Sequence, residues 1–282
     1  MKVGFIMKTE TIMLRDDDEA IKMQTFIHDD STGVIGGRRS AILVLAGGGY
    51  VFLANNREGE PVALNYFAEG FNAFLLDYSI GDKAAFPRPV EDVSKAIVHI
   101  RRNADVYNID PEKIYVIGFS AGGHLAASIG TFWHEDWAKS DPDMQFGENK
   151  PTATLTSYPV ITGDPRYAHI DSFMRILGYP IDKTDATEEE LARYSIEKHI
   201  TDKTVPTFIW HTFEDTCVPL ENSLLYASAL KEAGINFEMH IYPKCDHGIS
   251  LANRETSWGL DHLNNPHIAT WFRDSLEFME IF

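Results

Sequence analysis

"KIYVIGFSAGGHLAA", Lys113 to Ala127, is the stretch on which the fold turns. It begins as a continuous apolar run, IYVIGF, and passes directly into small residues, GGHLAASIG. Within it, Gly118-Phe119-Ser120-Ala121-Gly122 spells G-x-S-x-G. The pentapeptide alone carries little. With Gly and Ser each at about 7% of residues, a chain this long holds one by accident about one time in ten. The order of its surroundings says more. A serine nucleophile presented at a sharp turn needs a strand before it and a helix after it, and both are here. Glycines two before and two after remove the Cβ atoms that would clash in such a turn. The serine then stands at a helix N-terminus, where developing negative charge is favoured. The competing reading is an N-cap serine in an ordinary tight turn.

Working outward, short β-rich runs recur at Val3–Leu14, Ile21–His28, Ala41–Ala46, Asn72–Tyr78, Lys113–Gly118, Ala153–Tyr158, Thr207–His211 and Phe237–Tyr242. Several are unbroken apolar strings (AILVLA, FNAFLL), as expected of strands buried on both faces. The first two alternate more, as antiparallel edge strands do. Helical periodicity falls between the later strands, at Glu60–Gly70, Val90–Ala104, Gly122–Ile129, Asn222–Ala233 and Pro266–Met279. Strand and helix alternate from about residue 41, which predicts an α/β fold: eight strands, mostly parallel, with helices on both faces. Thr131–Pro151 and Gly163–Thr204 break the alternation, the second with a helical stretch at Thr187–His199. Both are expected to be short cap excursions over the face where open α/β sheets place their sites. No linker divides residues 1–282, so one domain is expected.

The composition is that of an ordinary globular protein, 44% hydrophobic and 24% charged. With 42 acidic against 25 basic residues, the net charge of −17 argues against nucleic acid or an anionic membrane as partner. Cys217 and Cys245 are the two cysteines, too few for a disulfide framework. No apolar run is long enough to cross a membrane. MKVGFIMKTETIML lacks an uninterrupted apolar core and a cleavage site, so no signal peptide is expected and a cytoplasmic location is the default. The oligomeric state stays open, a homo-oligomer included.

A serine hydroxyl needs a base, normally an oriented histidine, and in this arrangement the chain order is Ser, acid, His. His247 follows the last strand, in "FEMHIYPKCDHGIS", and alone meets both order and position. His134, His169 and His199 fall in the excursions, and His262 and His267 near the last helix. His211 and His240 sit inside apolar strands, where a structural role is expected. For the acid, "PTFIWHTFEDTCVP" offers Glu214 and Asp215 just after the preceding strand. Asp215 is the choice, with Glu214 as alternate. Asp246 adjoins His247 and reads as a turn aspartate.

The tetrahedral oxyanion also needs donors. One is the N–H of the residue after the nucleophile, Ala121, and the others come from the loop after the third strand. That loop is Gly47-Gly48-Gly49, and N–H groups of Gly48 and Gly49 could reach an oxygen with no side chain in the way. Such a donor contributes about 3 kcal/mol to a transition state. The rival reading, a phosphate cradle, fails. No G-K-[ST] follows, and Phe52 stands where G-x-G-x-x-G needs glycine. Tyr50, His124, Trp133 and Tyr158 are candidates to line the substrate pocket, against a role in the core.

In these features the chain resembles the α/β-hydrolase superfamily, specifically small carboxylesterases of the acetyl-esterase, acetylxylan-esterase and BD-FAE-like kind. The resemblance runs from about Leu43 to about Phe278. It is carried by GGGY at Gly47–Tyr50, REGEPVA at Arg57–Ala63, FPRPVEDV at Phe86–Val93, GFSAGGHLAAS at Gly118–Ser128, FIWHT…D…VP at Phe208–Pro219 and HGISLA at His247–Ala252. It implies Ser120, Asp215 and His247 as a triad, no metal or organic cofactor, and a small-molecule ester as substrate. A short acyl group, acetyl first, on a sugar or other small alcohol is what it suggests. There are two departures. Ala46 stands where the related lipase branch has the histidine of His-Gly-Gly-Gly, and Cys245 stands where the family often has glycine. Cys217 and Cys245 each lie two residues from a triad member, so two buried reduced thiols near one another are expected. A prolyl-oligopeptidase-like serine peptidase and a non-catalytic hydrolase homologue remain the alternatives.

Overall fold

The computed structural model describes residues 7–29, 37–180, 182–183 and 185–282. Strands β1 (Met7–Lys8), β2 (Thr11–Met13) and β3 (Lys22–His28) come first. Then come β4 (Arg39–Leu45), α1 (Glu60–Ala68), β5 (Asn72–Asp77), α2 (Arg88–Arg102) and α3 (Ala104–Tyr107). Next are β6 (Ile109–Phe119), α4 (Ala121–Phe132), β7 (Ala153–Ser157), α5 (Ile170–Ile176) and α6 (Glu188–Ala192). The chain closes with β8 (Thr207–Thr212), α7 (Glu221–Glu232), β9 (Phe237–Tyr242) and α8 (Thr270–Met279).

The nine strands form one sheet in the order β1-β3-β5-β4-β6-β7-β8-β9, with β2 also paired to β3. From β5 to β9 neighbours run parallel, while β1, β2 and β5 each pair antiparallel with β3. The alternation of side chains explains the apolar strings. In β4, Ala41, Leu43 and Leu45 join one apolar cluster, and Ile42 and Val44 join the other. The first cluster packs under α2, α4 and α7 through residues such as Val93, Leu125 and Leu230. The second packs under α1 and α8 through Tyr66, Trp271 and Phe278. A strand covered on both faces is apolar on both, as residues 41–45 of β4 are; the buried Thr and Ser side chains of β7 are polar exceptions, and Thr154, Thr156 and Ser157 are hydrogen-bonded.

Three sequence expectations change. The first strand, Val3–Leu14, is two short strands, Met7–Lys8 and Thr11–Met13, so the sheet has nine strands among the described residues; residues 3–6 of that run lie outside them. The Thr187–His199 helix is α6 plus a separate short turn at Ile196–Lys198. It breaks because the Ile196 N–H turns to Ile161 O, and Ser195 Oγ bridges Leu191 O and the Gly163 N–H. The third is the place of residues 131–151, which do not lie over the site. Helix α4 starts at the C-terminal end of β6 and returns antiparallel to it, so the segment beyond its last turn emerges at the opposite end of the strands. There Arg101 reaches Pro111 O and Lys150 O, and the Thr152 N–H reaches Ile114 O just before β6 begins to pair with β7. The second excursion, residues 163–204, does bring His169 and Asp171 to the site cavity.

Strand order reverses between β4 and β6, because β5 lies on one side of β4 and β6 on the other. The loops after those two strands therefore diverge to leave a crevice. They also touch. A Cβ on Gly122 would lie 2.3 Å from Leu45 O and 2.6 Å from Ala46 O, both backbone atoms. Gly122→Ala must push β4 and α4 apart and is expected to cost about 3 kcal/mol or more. Urea unfolding followed by circular dichroism measures this; an unchanged midpoint would show that the two backbones are not in contact.

Candidate active site

Ser120 sits between β6 and α4 with φ 53° and ψ −117°, a conformation that L residues rarely adopt. Neighbouring bonds hold it there. Its N–H donates to Ser157 O (3.0 Å), and its carbonyl accepts from the N–H groups of His124 (3.0 Å) and Val160 (3.1 Å). The flanking glycines are required: a Cβ on Gly118 would lie 2.0 Å from Gly122 O.

His247 Nε2 lies 2.8 Å from Ser120 Oγ, and its Nδ1 lies 2.6 Å from Asp215 Oδ2. A carboxylate only accepts, so Nδ1 carries the proton and Nε2 is left to accept from the serine hydroxyl. Asp215 Oδ1 accepts from the Cys217 and Val218 N–H groups, and buried His211 stands 3.2 Å from Oδ2. Burial opposes the Asp215 charge, but hydrogen bonds from His211 and His247 prevail and hold its carboxyl well below the usual range. His211 itself spans Ser223 Oγ and Val218 O, the structural role expected of it. Glu214 points outward instead, to Lys244 and the Cys245 N–H. Asp246 accepts from Thr216 and from the His247 N–H, which fixes the turn.

The glycine loop is unusual backbone, with Gly48 at φ 132° and Gly49 at φ 64°. Gly48 O accepts from the Val51 and Phe52 N–H groups. Among the described residues no acceptor occupies the N–H of Gly48 or Gly49. Ala121, at the first position of α4, has no intrahelical acceptor for its N–H. What braces the loop without a histidine at Ala46 is a buried carboxylate. Glu58, 2% exposed, accepts from the Gly47 N–H (2.9 Å) with Oε2 and from the Tyr158 hydroxyl (2.8 Å) with Oε1. The Tyr78 hydroxyl donates to Ala46 O (2.6 Å). The Ser250 N–H donates to the Tyr158 oxygen, and the Tyr158 ring packs edge-on against His247 at 4.9 Å. Burial, then the Glu58 charge, push the Tyr158 phenol well up, so it stays protonated and donates.

The four pocket candidates lie elsewhere than expected. A cavity of about 660 Å³ opens at Ser120 and His247, and none of Tyr50, His124, Trp133 and Tyr158 lines it. Trp133 is at the far end of α4, donating to Lys203 O. Tyr158 is the support under His247. Tyr50 and His124 are fully buried partners: the Tyr50 hydroxyl donates to His124 Nδ1, and His124 Nε2–H donates to Tyr194 O. The cavity wall instead carries Arg57, Glu58, His169, Asp171, Cys217 and Trp258. Arg57 and Glu58 open the REGEPVA stretch, which was a signal without an assigned role. Cys217 and Cys245 are free thiols; Cys217 is exposed at the cavity, so they are not the buried pair expected.

Sheet order, elbow and relay together define an α/β hydrolase. Similarity to known proteins narrows this: the BD-FAE family model matches residues 35–230, and the chain belongs to that family. It is 39% identical over 233 residues to endo-1,4-beta-xylanase B of Butyrivibrio fibrisolvens, and 32% identical over 249 to an acetylxylan esterase of Xylanibacter ruminicola. These matches take in 82% and 86% of this chain but only 35% and 46% of those proteins' lengths. The crystal structure of an acetyl ester-xyloside bifunctional hydrolase from Caldicellulosiruptor lactoaceticus superposes with TM-score 0.78 at 32% identity, covering 98% of this chain and 97% of that one.

His124 generates a pH prediction. Burial pushes it down to about 4, against a smaller upward pull from Tyr194 O. Its unfolded value is 6.5, so between pH 6.5 and 4 the unfolded chain binds a proton that the folded one does not. The stability it contributes is complete above pH 6.5 and is lost as pH falls, by about 3 kcal/mol at pH 4. Denaturant titrations across that window measure the slope. A slope that survives in His124→Gln would assign it to another group.

Proposed function

We propose that the chain is a serine carboxylesterase acting on short-chain, acetyl-like esters of sugars through a covalent acyl-enzyme. The observation that carries this reading is the pair of hydrogen bonds from Asp215 through His247 to Ser120, opening on a cavity beside unoccupied backbone N–H groups. Ser120 Oγ bonds to the ester carbonyl carbon while its proton passes to His247 Nε2. The carbonyl oxygen becomes an oxyanion that accepts from Gly48, Gly49 and Ala121, donors worth about 3 kcal/mol each. The C–O bond to the alcohol breaks, and the alcohol leaves with the proton from His247. Water then attacks the acyl-serine by the same route and frees the acid. Asp215 holds the imidazole tautomer and stabilises the imidazolium; it takes no proton. The sugar alcohol is supported by the acetylxylan esterase and acetyl ester-xyloside hydrolase among the relatives.

Hydrolysis of p-nitrophenyl acetate tests the mechanism. Ser120→Ala is expected to lower kcat more than about 10⁴-fold. Equal rates for the two proteins would sink it. Cleavage of aminoacyl-anilides but not esters would favour a peptidase, and activity lost in EDTA would contradict a metal-free route.

The acid is tested separately. Asp215→Asn is expected to cost about 10⁴-fold in kcat by stabilising the wrong tautomer. Glu214→Gln, a change at an exposed side chain, is expected to stay within about twofold. The reverse ranking would transfer the role to Glu214.

A further inference from the structure

Arg57 stands in the cavity wall with an ion-pair partner and an aromatic ring beside it. Its guanidinium makes no hydrogen bond among the described residues, and its Nε is buried without a partner. Its side chain is only 14% exposed and forms part of the wall of the cavity that holds Ser120. Glu58 Oε1 is 3.9 Å from Nη2, too far for a hydrogen bond but close enough to balance the charge. Its other neighbour is Trp258, whose ring lies 4.0 Å from Cζ. Trp258 also lines the cavity, is 59% exposed and has φ 52°. A bulky residue held at positive φ is strained, and strain of that kind gathers at sites of function.

We propose that Trp258 and Arg57 form a binding subsite for the neutral sugar ring of the substrate alcohol; this rests on the esterase reading of Ser120. One face of the indole is covered by the guanidinium, and the exposed face is free to take the flat C–H face of a pyranose. Arg57, stacked on the opposite face, fixes the plane of that indole against the cavity wall. An anionic alcohol fits poorly, because Glu58 already neutralises Arg57 and Asp171 lines the same cavity. Subsite and nucleophile share one cavity, so a ring held on Trp258 has its ester groups in the space before Ser120.

The test compares kcat/KM for methyl tri-O-acetyl-xylopyranoside and for ethyl acetate, which has no ring to stack. In Trp258→Ala the ratio of sugar ester to ethyl acetate is expected to fall about five- to tenfold, carried by KM. Trp258→Phe, which keeps a flat ring, is expected to lose less. Trp258 is exposed, and a thermal melt matching the wild type checks the fold. A ratio unchanged in Trp258→Ala, with ethyl acetate still cleaved, overturns the subsite and leaves the esterase reading standing. A wild type inert toward both esters overturns the esterase reading and the subsite with it. A larger fall for O-acetyl-lactate than for the sugar ester would assign the cavity to an anion and overturn the neutral ring.

Discussion

Two backbones meet where the chain leaves β4 and where it enters α4, and the rest of the site depends on that contact. A Cβ on Gly47 would lie 2.7 Å from Glu58 Oε2, 2.8 Å from Phe119 O and 3.0 Å from the Ser120 Cβ. Gly122 is equally confined against Leu45 O and Ala46 O. Only glycine permits this approach. Because it is permitted, the glycine loop and the serine turn are held as one rigid surface, with three backbone N–H groups left over. Main chain is a suitable material for that task, since its dipoles are fixed before substrate arrives and need no reorganisation.

Glu58 extends the constraint. One carboxylate accepts from the glycine loop and from the phenol that supports His247. The glycine loop and the ring packed against His247 are thereby tied through a single buried group. Removing one partner of such a group leaves a desolvated charge or an unsatisfied donor, which costs more than the bond itself contributed. This is how Ala46 can replace a histidine without loosening the turn: the brace comes from α1's entry and from Tyr78 instead.

Much of this was legible in the residues. Apolar runs without alternation marked strands covered on both sides, and the G-x-S-x-G with its flanks marked the turn. Position after the last two strands singled out His247 and Asp215. The failures have a common cause. Trp133, Tyr50, His124 and Tyr158 stand near the glycines, the serine or a strand end along the chain, but side-chain direction is decided by the fold. Helix α4 carries His124 inward and delivers Trp133 to the opposite end of the strands. The residues that do line the cavity, Arg57, His169 and Trp258, arrive from three separate loops. No periodicity connects them, and only packing brings them together.

The distances along the chain have a kinetic consequence. Glu58 joins residues 47 and 158, and through Tyr158 reaches Ser250, while the relay joins residues 120, 215 and 247. Contacts of such separation close late, because the loop entropy must be met before they form. Helices α2 and α4 can form early on local contacts, yet the hydrogen bonds joining Ser120, His247 and Asp215 cannot close until β8 and β9 dock on the far edge of the sheet. With the proposed mechanism, return of activity on refolding is therefore a stricter clock than return of helical signal. The interval between the two measures how long the molecule is compact but inert.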